Sequence, residues 1–209
     1  MTKIIRLLFL LLIIINKSLF SQEKSNCFYI NEVDNLAYHI DDSTKLFSGE
    51  FINQHKNGRT SSQQIIKNGR IISGVSYNKK GTLIDSLVLI NSEEYIHDFK
   101  KYSKNGQLIL HMLIKNLDKP IYTKQFYKNG NVWSIEHFEN GKKNGLFQLF
   151  YKNGNIRSEI KYQNGTIINP GYFWEKNGDK YEVINRINAS KAENSNFEAI
   201  YEVSRKKID

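Results

Sequence analysis

The chain has 209 residues, with 30 Lys and Arg, 21 Asp and Glu, and a formal net charge of +9. That length suits one domain. The basic surplus is scattered among acids, with no run longer than Arg205-Lys206-Lys207, which argues against nucleic-acid binding and is compatible with an acidic or membrane surface. The only cysteine is Cys27, which excludes an intramolecular disulfide.

Residues 1–21 predict a secretory signal. Lys3 and Arg6 form a basic start, Leu7 to Ile15 is an unbroken apolar run, and cleavage is expected between Ser21 and Gln22. The apolar run is shorter than the roughly 20 residues of a membrane span. An uncleaved N-terminal anchor is the alternative, because Leu19 stands where cleavage prefers a small residue. The expected location is outside the cytoplasm: periplasm, cell envelope or extracellular space. Cys27 follows polar Lys24-Ser25-Asn26 and is expected to be an ordinary residue rather than a lipid-attachment site.

Residues 22–48 form a pre-repeat segment. Leu36 to Ile40 predicts a strand, Asp41 to Thr44 a turn, and Leu46 to Phe51 the entry into a first hairpin. A ruler of Asn-Gly dipeptides then governs the chain, starting at Asn57, Asn68, Asn105, Asn129, Asn140, Asn144, Asn153, Asn164 and Asn177. Lys80-Gly81, Asn91 and Asn116 fill the vacant marks. Asn-Gly is a strong hairpin signal because both residues accept positive φ. The spacing predicts tandem β-hairpin repeats of about 24 residues over 49–187, and a capping segment over 188–209.

The repeats align on the turns at 57, 80, 105, 129, 153 and 177. Three residues before each stand Gln54, Tyr77, Tyr102, Phe126, Phe150 and Trp174. Three after stand Thr60, Leu83, Leu108, Val132, Ile156 and Lys180, and nine after stand Ile66, Leu89, Ile114, Phe138, Tyr162 and Arg186. The last two columns share strand parity, so they are expected to share the core face. A type I turn with a G1 bulge, closed by a left-handed Gly, would pair each −3 aromatic with its +3 aliphatic on that face, and is preferred here over a type I′ turn. Lys180 and Arg186 mark a fading final repeat. Phe197 to Val203 alternates and predicts a closing strand, with a short helix as the alternative.

The segment Phe150-Tyr-Lys-Asn-Gly-Asn-Ile-Arg-Ser-Glu-Ile-Lys-Tyr-Gln-Asn-Gly165 resembles the variant MORN repeat, as does Asn140-Gly-Lys-Lys-Asn-Gly-Leu-Phe-Gln-Leu-Phe-Tyr-Lys-Asn-Gly154. Phe47-Ser-Gly-Glu-Phe51 is similar to the opening of YwqK-type antitoxins. The resemblance covers roughly residues 44–180. It implies a repeat fold, a protein partner of antitoxin or immunity type, and, through the wider MORN class, contact with membranes. Leu117 and Ser92 depart from the pattern by replacing turn glycines.

No catalytic constellation is legible. His39, His55, His97, His111 and His137 are not at metal-ligand spacing. Asp41 and Asp42 are adjacent and predict turn acids, and there is no nucleophile elbow or phosphate loop. The expectation is a protein without catalytic residues, cofactor or metal. One surface stands out. Ile84, Val88, Ile109, Leu113, Trp133 and Ile135 occupy positions opposite the expected core, whereas the equivalent positions of the next unit are Arg157, Glu159 and Lys161. Two readings follow: cover by residues 22–48 or by sheet curling, or a binding face anchored by Trp133. Leu87 to Ile90 is expected to be buried on both faces.

The sequence thus predicts an all-β, elongated antiparallel meander. The expected function is non-catalytic protein binding by an exported repeat protein, antitoxin-like in its partner. The alternative is a cell-envelope scaffold contacting lipid or polysaccharide. Neither the partner nor the oligomeric state is legible.

Overall fold

A computed structural model describes residues 28–31, 33–183 and 205–208. The signal segment, Cys27 and Phe197 to Val203 lie outside the described residues. All described elements are strands, and all their pairings are antiparallel. They divide into two compact units, one ending at Lys119 and the other beginning at Pro120.

In the first unit, β1 (Phe28–Ile30) and β2 (Ala37–His39) form a separate two-stranded sheet. A meander follows: β3 (Gly49–Gln54), β4 (Thr60–Lys67), β5 (Arg70–Tyr77), β6 (Leu83–Asn91), β7 (Ile96–Tyr102) and β8 (Leu108–Lys115), each pairing with the next. The second unit holds β9 (Lys119–Phe126), β10 (Val132–Glu139), β11 (Lys142–Lys143), β12 (Gly145–Phe150), β13 (Ile156–Gln163), β14 (Thr166–Trp174), β15 (Lys180–Val183) and β16 (Arg205–Ile208). Here too neighbours in sequence are neighbours in the sheet, except that β10 pairs with both β12 and the short β11. The all-β hairpin meander is therefore the observed fold.

The same dipeptide makes two different turns. At Gly58, Gly81, Gly106, Gly130, Gly154 and Gly178 the glycine alone has positive φ, between 78° and 94°. Each donates its N–H to the carbonyl three residues earlier, as Gly154 does to Tyr151 at 2.9 Å, while Tyr151 N–H donates to Asn155 O at 2.8 Å. That is the type I turn with a left-handed closing Gly. It pairs −3 with +3 in all six hairpins: Gln54–Thr60, Tyr77–Leu83, Tyr102–Leu108, Phe126–Val132, Phe150–Ile156 and Trp174–Lys180. In four of the five intervening turns both residues have positive φ, as in Asn68-Gly69, Asn140-Gly141 and Asn164-Gly165, the signature of type I′, whereas at the Asn91 connection only Tyr95 does. Leu117 follows Asn116 into this region at φ 61°, and its side chain packs on the first unit's core.

The faces differ from expectation for one reason. In five hairpins the register slips after the −3/+3 pair, so that −4 pairs with +5 and the +4 residue is passed over as a bulge. Position +5 is on the buried face: Ser62, Leu110, Ser134 and Ser158 are all buried. Position −4 shares that face, which turns the −3 aromatics to the other side. The +9 residues Ile66, Ile114 and Phe138 are buried as expected, whereas the +3 residues are only half-buried.

In the first unit the buried face carries Phe28, Ala37, Ile66 and Ile71, and, further along, Phe99, Leu110, Met112 and Ile114. Phe28 stacks on Phe47 at 4.7 Å and meets Phe51 edge-on at 5.4 Å. Backbone bonds tie this segment down: Ala37 N–H to Gly69 O and Gly69 N–H to Phe47 O, both 2.8 Å. The described part of 22–48 thus covers the core face and not the opposite one. In the second unit Phe147, Leu149 and Ile160 form the core. Lys143 lies 4.1 Å from the Phe147 ring centroid and 3.2 Å from Glu136. Burial, with the Glu136 charge beside it, pushes the Tyr162 phenol up to about 12.

Candidate binding face

The strand faces opposite the two cores hold the six residues singled out in the sequence. In the first unit, Val88 pairs with Ser73 on one side and Asp98 on the other. Leu113 pairs with Asp98 from the far strand. Asp98 therefore stands between the two apolar residues, with Lys100 at 2.9 Å and His111 at 3.1 Å from its carboxylate. Ile84 and Ile109 are the bulged residues after Leu83 and Leu108. The expected continuous apolar patch is thus broken by an ion-pair cluster, because the returning strand β7 brings Asp98 and Lys100 to this face. Nor is Leu87 to Ile90 buried on both sides: Val88 is 49 % and Ile90 55 % exposed. The alternate residues Leu87 and Leu89 lie on the core side and are half-buried.

The second unit's outer face is different. Ile135 pairs with Lys124 and Gln148, so it too has polar neighbours. Beside it a row crosses the strands next to the turns. Phe126 on β9 is opposite Val132, and Trp133 is the bulged residue that follows on β10. Phe150 on β12 is opposite Ile156, and Arg157 is the bulged residue on β13. Trp174 on β14 pairs with Lys180 on β15. The order across the sheet is Phe126, Trp133, Phe150, Arg157, Trp174, Lys180. Each neighbours a residue of the buried face: Ser134 is 1 % and Ser158 0 % exposed, and Leu149 is buried. Strand alternation then turns the row outward. Trp133 is 40 % exposed, and the other members are half-buried.

Cations sit against the rings. Lys180 Nζ is 4.0 Å from the Tyr172 centroid and 5.3 Å from that of Trp174. Lys124 lies over Phe126 at 5.6 Å, and Arg157 over Tyr151 at 5.7 Å. The platform is braced from unit to unit: Tyr127 Oη donates to Phe150 O at 2.8 Å and Tyr151 Oη to Trp174 O at 2.7 Å, each fixing the backbone that carries the next aromatic. Gln148 holds Glu159 at 2.9 Å, taking up one of the acids on this face. Sequence reasoning picked Trp133 but placed Phe126, Phe150 and Trp174 in the core. The signal it lacked was the second bulge, at the +4 residue.

The MORN repeat variant family model matches residues 122–140 and 143–164, the segments that supply β9 to β13. Two MORN-type repeats are thus present in the second unit. None of the curated proteins matches it. Among solved structures it is similar to a chain of the GtfA/B complex bound to UDP and GlcNAc, at 14% identity over 68% of this chain and 26% of that one, with a TM-score of 0.24. It is also similar to a chain of accessory secretory protein 1, 2 and 3 of Streptococcus pneumoniae, at 12% identity over 84% and 25%, with a TM-score of 0.17. The chain spans about a quarter of the length of each.

Proposed function

We propose that the protein is an exported, non-catalytic repeat module that binds at the cell envelope through the outer face of its second unit. The observation that carries this reading is the row of outward aromatics interleaved with Arg157 and Lys180. Rings and cations in alternation suit stacking and charge pairing with an extended polar polymer better than they suit a dry apolar interface. Export rests on the signal pattern of residues 1–21.

A second reading, a protein partner of the antitoxin or immunity kind, is favoured by the exposure of Trp133 next to Ile135. Retention of residues 22–209 on native cell envelopes at rising salt separates the two. Envelope-polymer binding predicts retention that falls with ionic strength and survives protease treatment of the envelopes. Protease-sensitive, salt-resistant retention, lost in Trp133→Ala/Ile135→Ala, would replace it with the protein-partner reading. Absence of retention would overturn both.

A further inference from the structure

The outer row of the second unit has a period as well as a composition. Phe126, Phe150 and Trp174 stand on β9, β12 and β14, which are alternate members of the ladder β9-β10-β12-β13-β14. Strands lie about 4.8 Å apart, so these aromatics recur roughly every 10 Å along one line. Trp133 fills the first interval and Arg157 the second, while Lys180 ends the line beside Trp174. An extended β-linked glycan turns the same ring face to one side at every second residue. Its repeat therefore matches the period of the aromatic column. Its ring C–H faces stack on aromatic rings, and charges on the chain would meet Arg157 in the second interval and Lys180 at the end of the line.

Charge decides between neutral and anionic chains. The row and its flank present Lys124, Arg157 and Lys180 against two acids, Glu159, which is engaged by Gln148, and Glu182, which stands opposite Tyr172. From this placement we propose that the row Phe126–Trp133–Phe150–Arg157–Trp174–Lys180 is a binding site for an extended, β-linked anionic polysaccharide lying across the strands. The proposal rests on the envelope-binding reading above and names its ligand class.

The test is affinity electrophoresis of residues 22–209 in gels containing hyaluronate (one carboxylate per disaccharide), alginate (one per residue) or neutral hydroxyethyl cellulose. The anionic glycans should retard the protein strongly and the neutral one weakly. Trp133→Ala and Phe150→Ala should each weaken binding about three- to tenfold, the range of an aromatic contact. Arg157→Gln with Lys180→Gln should abolish the preference for anionic chains. Ile65→Ala, on the outer face of the first unit, should change nothing. Trp133 is the most exposed member, so its variant keeps the test valid should Phe150→Ala lower the thermal midpoint. Equal retardation by neutral and anionic glycans, or row variants that bind like wild type, would overturn the proposal. If no purified glycan binds while envelope retention persists, the ligand class is wrong and the envelope reading stands. If both fail, both fall.

Discussion

His97 Nε2 lies 2.8 Å from the carbonyl oxygen of Ile71, and the ring is fully buried. Tyr95 completes the arrangement, accepting a hydrogen bond from Ile71 N–H at 3.0 Å. The two side chains take the place of a partner strand, because β5 pairs with β6 only from Ser73 onward. The wide β6–β7 connection leaves Ile71 for Tyr95 and His97 to satisfy. A buried backbone N–H or C=O without a partner would be costly.

Stability should therefore fall in mild acid. Burial holds the His97 pKa below its ordinary 6.5, against carbonyl hydrogen bonds that raise it. Among the described residues, the charged group against this pair is Arg70, over the Tyr95 ring at 5.0 Å. Above 6.5 the imidazole is neutral folded or unfolded. Below it the unfolded chain takes up the proton first, so stability declines until folded His97 protonates. Denaturant midpoints should drop between pH 7.5 and 5. His97→Gln should cost about 1–3 kcal/mol at pH 7.5 and show a smaller drop. An equal drop in the variant would contradict this role.

Asp85 should show the opposite sign. It lies on the buried face in register with Ser76 and Lys101, with one carboxyl oxygen buried and unbonded. Burial raises its pKa, and Lys101 offsets this in part. Folding thus disfavours its charge at neutral pH. Asp85→Asn should stabilise the first unit at pH 7, and the gain should start to shrink as pH falls through the raised folded pKa and vanish only below the unfolded value of 3.8, where the wild-type carboxyl is neutral in both states. A gain that is independent of pH would point to packing instead.

Two turn glycines separate backbone strain from crowding. Gly58 and Gly69 have nearly equal φ, 78° and 72°. A Cβ at Gly58 would meet nothing within 4 Å, whereas one at Gly69 would lie 2.7 Å from a Leu46 methyl and 3.1 Å from Ala37 O. Gly58→Ala should cost about 1–2 kcal/mol, the left-handed penalty alone. Gly69→Ala should cost about 1–3 kcal/mol more, the range for overpacking, because it displaces the β2 segment from the core. Equal thermal shifts would mean that this segment is not held through Gly69.

Much of this was legible in the sequence. The turn positions, the −3/+3 pairing and the left-handed closing glycines follow from Asn-Gly spacing and one buried face. The inversion of the aromatic column was not, because a bulge at Ile84, Ile109, Trp133 or Arg157 leaves no mark in residue type. Asp98 and Lys100 stand on a returning strand, and a sheet face alternates outgoing with returning strands, so columns drawn along outgoing strands do not show them. Tyr95 and His97 were invisible for another reason: their partner is a backbone group 24 to 26 residues away. Strand β16, Arg205–Ile208, carries no apolar alternation. Its pairing with β15 places Lys207 in a 3.1 Å ion pair with Asp179, and charge pairing of that kind is not read from periodicity.

The two tryptophans of the chain, Trp133 and Trp174, both stand on the proposed binding row. Tryptophan emission is therefore a direct probe of the claim that this face binds. Titration of hyaluronate into residues 22–209 at low salt should give a saturable change in emission. That change should reverse at high ionic strength and be much weaker with hydroxyethyl cellulose. A protein that binds hyaluronate with its tryptophan emission unchanged would show that the polymer engages another surface, and would contradict the account.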